Sequence, residues 1–174
     1  MNIYLCGFMG AGKTTIGKKL AEKLNYNFLD TDELIEQKEN KRITEIFAAS
    51  GENYFRKLET GILLELSAQK IDDTIISTGG GIIIKEENIE IMKNTGKLVY
   101  LKASIETIIK RANPETRPLL KGLTFDEMFA KIKKLLALRE EKYYLCDYIV
   151  AVDNLSIDEI STKIIDYFKL AGRK

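Results

Sequence analysis

The sequence predicts an α/β domain of three layers, with a five-stranded parallel sheet between two layers of helices. Three observations predict it. Apolar, β-type runs alternate with segments of helical periodicity along the chain, an order that covers both faces of a parallel sheet with helices. The first run leads into Gly7-Phe8-Met9-Gly10-Ala11-Gly12-Lys13-Thr14, a G-x-x-x-x-G-K-[ST] phosphate-binding loop between a strand and a helix. Polar and glycine clusters stand at the carboxyl ends of the next two strands, where open α/β sheets hold ligands.

Taken in order, Asn2 to Cys6 reads as a short buried strand. Thr15 to Leu24 places Ile16, Leu20, Ala21 and Leu24 at helical spacing. Asn27 to Leu29 is a second strand ending at Asp30, and Thr31 to Leu66 is mostly helical, with breaks near Asn40 and Ser50-Gly51. Thr74 to Ser77 is a third strand running into Thr78-Gly79-Gly80-Gly81. Glu86 to Asn94 is a short helix, Lys97 to Leu101 a fourth strand and Ser104 to Arg111 a helix. Thr124 and Glu127 form the ends of a capping box that opens a helix to about Lys142. Asp147 to Val152 is the fifth strand, and Ser156 with Glu159 caps a last helix to about Leu170. The segment 112–122 is the one long stretch without periodicity, and it carries both prolines and Arg117. A loop of that length is expected to be a mobile lid or binding loop rather than plain surface.

The loop explains its own residue types. Glycines let successive N–H groups turn inward where a Cβ would block a phosphate. Lys13 supplies a cation for the terminal phosphates, Thr14 a hydroxyl for Mg²⁺, and the following helix points its positive end at the anion. Composition narrows what else the chain does. With 174 residues, a net charge of +1 and 45% hydrophobic residues, one soluble domain is expected, with no basic field for nucleic acid. No apolar run approaches a membrane span, and the N-terminus reads as strand and loop rather than signal peptide. Cys6 and Cys146 both lie in apolar, strand-like runs and read as buried free thiols of a reduced, cytoplasmic protein. The chain has no histidine, which excludes histidine triads and histidine metal sites.

Beyond the loop, Asp30-Thr31-Asp32 puts two carboxylates near the phosphates. One suits Mg²⁺ through water and the other a proton from a hydroxyl, while a helix N-cap explains them as well. Gly79-Gly80-Gly81 either bares backbone N–H groups to a substrate or makes a tight turn. Arg56 suits a bidentate grip on a carboxylate; the nearby aromatics Phe47, Tyr54 and Phe55 are expected in the core rather than lining a pocket.

This set, from Gly7–Thr14 through Phe28-Leu29-Asp30-Thr31-Asp32, Phe55-Arg56, Gly79-Gly80-Gly81 and Arg117-Pro118-Leu119-Leu120 to Arg139, resembles shikimate kinase in order and spacing over nearly the whole chain. The resemblance implies a nucleoside-monophosphate-kinase-like fold with strand order 2-3-1-4-5, and transfer of the γ-phosphate of ATP to the 3-hydroxyl of shikimate, in aromatic amino-acid biosynthesis. It implies that Gly10, Ala11, Gly12, Lys13, Thr14 and Thr15 cradle ATP, with Mg²⁺ at Thr14 and Asp30. Asp32 is implied as proton acceptor and ligand of the shikimate hydroxyls. Arg56 and Arg139 hold the shikimate carboxylate, and Gly79, Gly80 and Gly81 close the pocket. Arg117 reaches the phosphates from the lid, and Arg111 lies against adenine, with Lys110 an adjacent candidate. Asn154 lies near adenine too. A monomer is the expected state. The rival enzyme reading is a gluconate or nucleotide kinase of the same fold. A guanine-reading switch is disfavoured, because Asn40-Lys41-Arg42-Ile43 lacks the aspartate of an Asn-Lys-x-Asp segment and comes too early.

Overall fold

The computed structural model describes residues 1–111, 120 and 122–172. Five strands, β1 (Asn2–Cys6), β2 (Asn27–Asp30), β3 (Thr74–Ser77), β4 (Gly96–Lys102) and β5 (Tyr148–Ala151), form one sheet of order β2-β3-β1-β4-β5. All four pairings are parallel, so the expected order stands. The central strand β1 is buried at every residue, as a strand with helices on both faces must be.

Strand alternation sorts the core into two halves. Ile3 and Leu5 point to one face, beneath α1 (Lys13–Leu24), α5 (Ile105–Arg111), α6 (Phe125–Ala137) and α8 (Ile157–Phe168), where they meet Leu20, Ile108, Ile132 and Ile160. Tyr4 and Cys6 point to the other, beneath α2 (Thr31–Glu39), α3 (Ile43–Ala68), α4 (Glu86–Thr95) and the short α7 (Glu140–Tyr143), where they meet Ile35, Leu63, Met92 and Tyr143. No helix among the described residues is long and apolar enough to cross a membrane.

Register brings three strand ends level. Leu5 pairs with Ser77, and Ser77 pairs with Asp30. The chain therefore leaves β1, β2 and β3 at one edge of the sheet, which gathers the phosphate loop, the aspartates and the triple glycine.

The helix breaks fall where expected between residues 31 and 66. Asn40 ends α2 in the left-handed region, with φ 50°, a conformation asparagine tolerates. Gly51, with φ 76° and ψ 175°, kinks α3. Two expectations need correction. The helix from Thr124 does not run on to Lys142; α6 stops at Ala137, and a turn at Leu138-Arg139, with φ −116° at Arg139, separates it from α7. The cause is tertiary, since that turn swings the Arg139 side chain inward over Phe8, 5.5 Å from its ring centre. Cys146 is not in a strand but in the bend before β5, and it is only partly buried. Both thiols are free. A hydrogen bond to Cys6, reinforced by burial, pushes the Cys146 thiol above its ordinary range.

Candidate active site

The phosphate loop follows β1 without a break. Gly10 and Gly12 take φ of 79° and 92°, open to glycine at little cost. Lys13 Nζ donates to the loop's own Gly7 and Phe8 carbonyls at 2.8 and 3.1 Å, so its ammonium sits inside the curl. Gly10, Gly12, Lys13, Thr14 and Thr15 line a cavity of about 340 Å³ with Arg111, Asp30 and Asp32. Ala11 differs from them. It is fully buried, and its N–H donates to Phe8 O at 3.1 Å, closing the loop's own turn. Arg111 stands beside Gly10 and Gly12. Asn154 is exposed in a left-handed turn, φ 60°, and does not line this cavity. Arg117, with most of the lid segment, lies outside the described residues; Leu120 within it is buried in the core.

Asp30 joins the helix start to the phosphate loop. Oδ1 accepts the Asp32 N–H at 3.0 Å, capping α2, and Oδ2 accepts the Thr14 hydroxyl at 2.8 Å. A hydroxyl and a carboxylate in contact at the edge of the phosphate cavity are hard oxygen donors of the kind Mg²⁺ takes.

A second cavity, about 510 Å³, opens from the first. Met9, Thr14, Asp30, Asp32 and Gly80 belong to both walls. Its own walls hold Arg56, Arg139, Glu59, Gly79 and Gly81, with Phe47 and Phe55. Those aromatics thus do what was not expected of them: Phe55 is buried and lines the cavity at once, with the Phe47 ring 4.8 Å away. Tyr54 does neither; it is 38% exposed and bonds Glu39. Arg139 is 5% exposed and donates to Gly80 O at 3.3 Å, a carbonyl that Tyr143 also holds at 2.7 Å.

The triple glycine is bare for a reason other than offering every N–H to a ligand. The Gly79 N–H is already given to Thr31 Oγ1 at 3.0 Å. A Cβ on Gly79 would meet Asp32 Oδ1 at 2.7 Å and Glu59 Oε1 at 2.8 Å, and one on Gly81 would overlap the Arg56 guanidinium. The glycines make room for charged side chains.

Sequence reasoning missed Glu59. It is fully buried, and its Oε2 accepts Arg56 Nη1 at 2.7 Å, while Glu52 takes Arg56 Nη2 at 2.8 Å. The signal was present: Phe55, Glu59, Ile62, Leu63 and Leu66 share the buried stripe of α3, and a glutamate in an apolar stripe calls for a partner. Burial pushes Glu59 up to about 7, with Arg56 opposing and Asp32 adding to the rise.

A phosphate loop on the central strand, opening into a cavity with paired guanidinium groups and an aspartate on the shared wall, defines a P-loop phosphotransferase for a small anionic acceptor. Known proteins sharpen the class. The family model described as "Shikimate kinase" matches residues 9–169, and the chain belongs to that family. It is 40% identical to the shikimate kinase of Caldanaerobacter subterraneus subsp. tengcongensis over 99% of each chain, and 42% identical to that of Sulfurihydrogenibium sp. over 94% of this chain and 97% of the relative. Shikimate kinase from Acinetobacter baumannii in complex with shikimate superposes with a TM-score of 0.89 at 36% identity, covering 97% of this chain and 92% of that one. A deoxyadenosine kinase from M. mycoides, at 22% identity and a TM-score of 0.58, shares the fold alone.

Proposed function

We infer that the chain transfers the γ-phosphoryl group of ATP to the 3-hydroxyl of shikimate. Family membership supports the reaction, and one observation supports the division of labour: Asp32 belongs to the walls of both cavities. A hydroxyl beside it is within reach of the phosphate site.

Phosphoryl transfer needs alignment and charge neutralisation more than covalent help. In this reading the loop amides, Lys13 and Thr15 hold the triphosphate. Arg111, rather than Lys110, lies against the nucleotide, because it already stands over Gly10 and Gly12; Asn154 borders the adenine end. Arg56 and Arg139 grip the acceptor's carboxylate, and Asp32 takes the hydroxyl proton, since a base must sit within hydrogen-bond reach of the proton it removes. Thr14 and Asp30 would hold Mg²⁺, which when bound neutralises charge on the phosphate oxygens. Arg117, on the lid segment 112–122, adds positive charge at the transferring group, and closing that segment excludes water as a competing acceptor. We also propose that residues 1–174 form one domain, acting as a monomer in the cytoplasm.

The test is a coupled assay of the purified chain with ATP and shikimate, gluconate or nucleoside monophosphates in parallel. Shikimate is expected to be the substrate turned over. Faster turnover of gluconate, whose carboxylate the two arginines would also accept, would replace the reading with its rival.

A further inference from the structure

Glu59 sits one helical turn after Arg56 on the wall of the acceptor cavity. Its Oε2 is bonded to Arg56, and its Oε1 is buried with no hydrogen-bond partner. The charged groups around it come from several elements. Arg56 and, through it, Glu52 belong to α3. Asp32 faces it from α2, its Oδ1 sharing with Glu59 Oε1 the space beside Gly79. Arg139 acts on it from the turn before α7, and Lys85 reaches the neighbouring Thr60 hydroxyl at 3.1 Å.

We propose that Glu59 takes up a proton on Oε1 when a carboxylate-bearing acceptor docks on Arg56, so that substrate binding and proton uptake are one event. The proposal rests on the placement of that carboxylate at Arg56 and Arg139. The proton comes from solvent; no bond in the substrate breaks, and the buried charge stays balanced, one negative group arriving as another is neutralised. A neutral Glu59 keeps its tie, because Oε2 still accepts from Arg56. The group is poised for this, since burial already holds it at about 7, and a second carboxylate within a few ångströms typically raises such a group by a further ~1 to 3 pH units.

The sign follows. Well below its free titration range Glu59 already carries the proton, and binding takes up none. Between its free and its bound titration ranges, binding takes up protons and affinity falls as pH rises; well above both, uptake ceases again. With a rise of about one pH unit on docking, roughly half a proton is taken up at about pH 7.5, and affinity drops about sevenfold between about pH 6 and 8.5. Titration calorimetry of shikimate into the nucleotide-free enzyme, in two buffers of different ionisation enthalpy, counts those protons. The wild type is expected to take up about half a proton and Glu59→Gln none. No uptake by the wild type, or uptake that persists in Glu59→Gln, overturns the proposal. If that variant does not fold, the carboxyl ¹³C shift of Glu59 in the wild type decides: it moves towards the protonated value when shikimate is added, or the proposal fails. Arg56→Met separates the two layers of the argument. Shikimate binding lost in Arg56→Met, with no proton uptake by the wild type, sinks the proton link and leaves the carboxylate site standing. Binding unchanged in Arg56→Met sinks both.

Discussion

Gly81→Ala isolates the acceptor clamp without touching the nucleotide loop. Gly81 has φ −105° and ψ −3°, which any L-residue adopts, so alanine brings no backbone strain. Its Cβ would overlap the Arg56 guanidinium. That group is the end of a flexible side chain, so the expected relief is a rotation of Arg56 away from Glu59 and out of the cavity. A charge-assisted hydrogen bond contributes about 1.5 to 3 kcal/mol. Losing it from the substrate complex raises KM for shikimate roughly 10- to 150-fold, with KM for ATP unchanged. Stability changes little, because Glu59 takes up a proton when the Arg56 guanidinium that held its pKa down swings away, and the melting temperature moves by no more than a few degrees. Steady-state kinetics with each substrate varied in turn, beside a thermal melt, measure all three. An unchanged KM for shikimate refutes the clamp. A collapsed melting transition refutes the claim that Arg56, not the backbone, gives way.

Three further substitutions probe the rest. Asp32→Asn is expected to keep ATP binding and lower kcat by about 10²- to 10⁴-fold; near-wild-type turnover rejects Asp32 as the base. Arg117→Ala should lower kcat on the order of 10³-fold with an unchanged melting curve, and an unaltered kcat rejects its part in transfer. Gly51→Ala meets no atom within 4 Å, so its whole cost is conformational, about 1 to 3 kcal/mol, read as a fall of roughly 2 to 12 °C in melting temperature. A melt that does not move shows that the kink of α3 is not held at Gly51.

The strands and the phosphate loop were legible because their signals are local: apolar runs of four to seven residues and a fixed spacing of glycines and lysine. Capping boxes at Thr124 and Ser156 were legible for the same reason, and both form. The break at Arg139 was not. Leu135 to Tyr144 carries ordinary helix formers, and the break is set by Phe8 and Gly80, more than fifty residues away in sequence. Phe47 and Phe55 belong to the core as expected, and their place on the cavity wall was missed because burial and exposure to a cavity were treated as alternatives, although a cavity is a hole in a core. Glu59 escaped notice because charge on a helix ordinarily means solvent; only the fold shows that Arg56 and the space left by Gly79 make the burial tolerable.

Asp30 has a practical consequence for anyone who alters this protein. One oxygen of its carboxylate starts the helix that carries Asp32, and the other holds the threonine that ends the nucleotide loop. Truncating it to alanine therefore unsettles acceptor and donor chemistry together, and a dead enzyme reports neither. Asparagine retains the acceptor needed at the helix start while turning the opposite atom into a donor. It is the exchange that tells a loosened scaffold from a missing ligand.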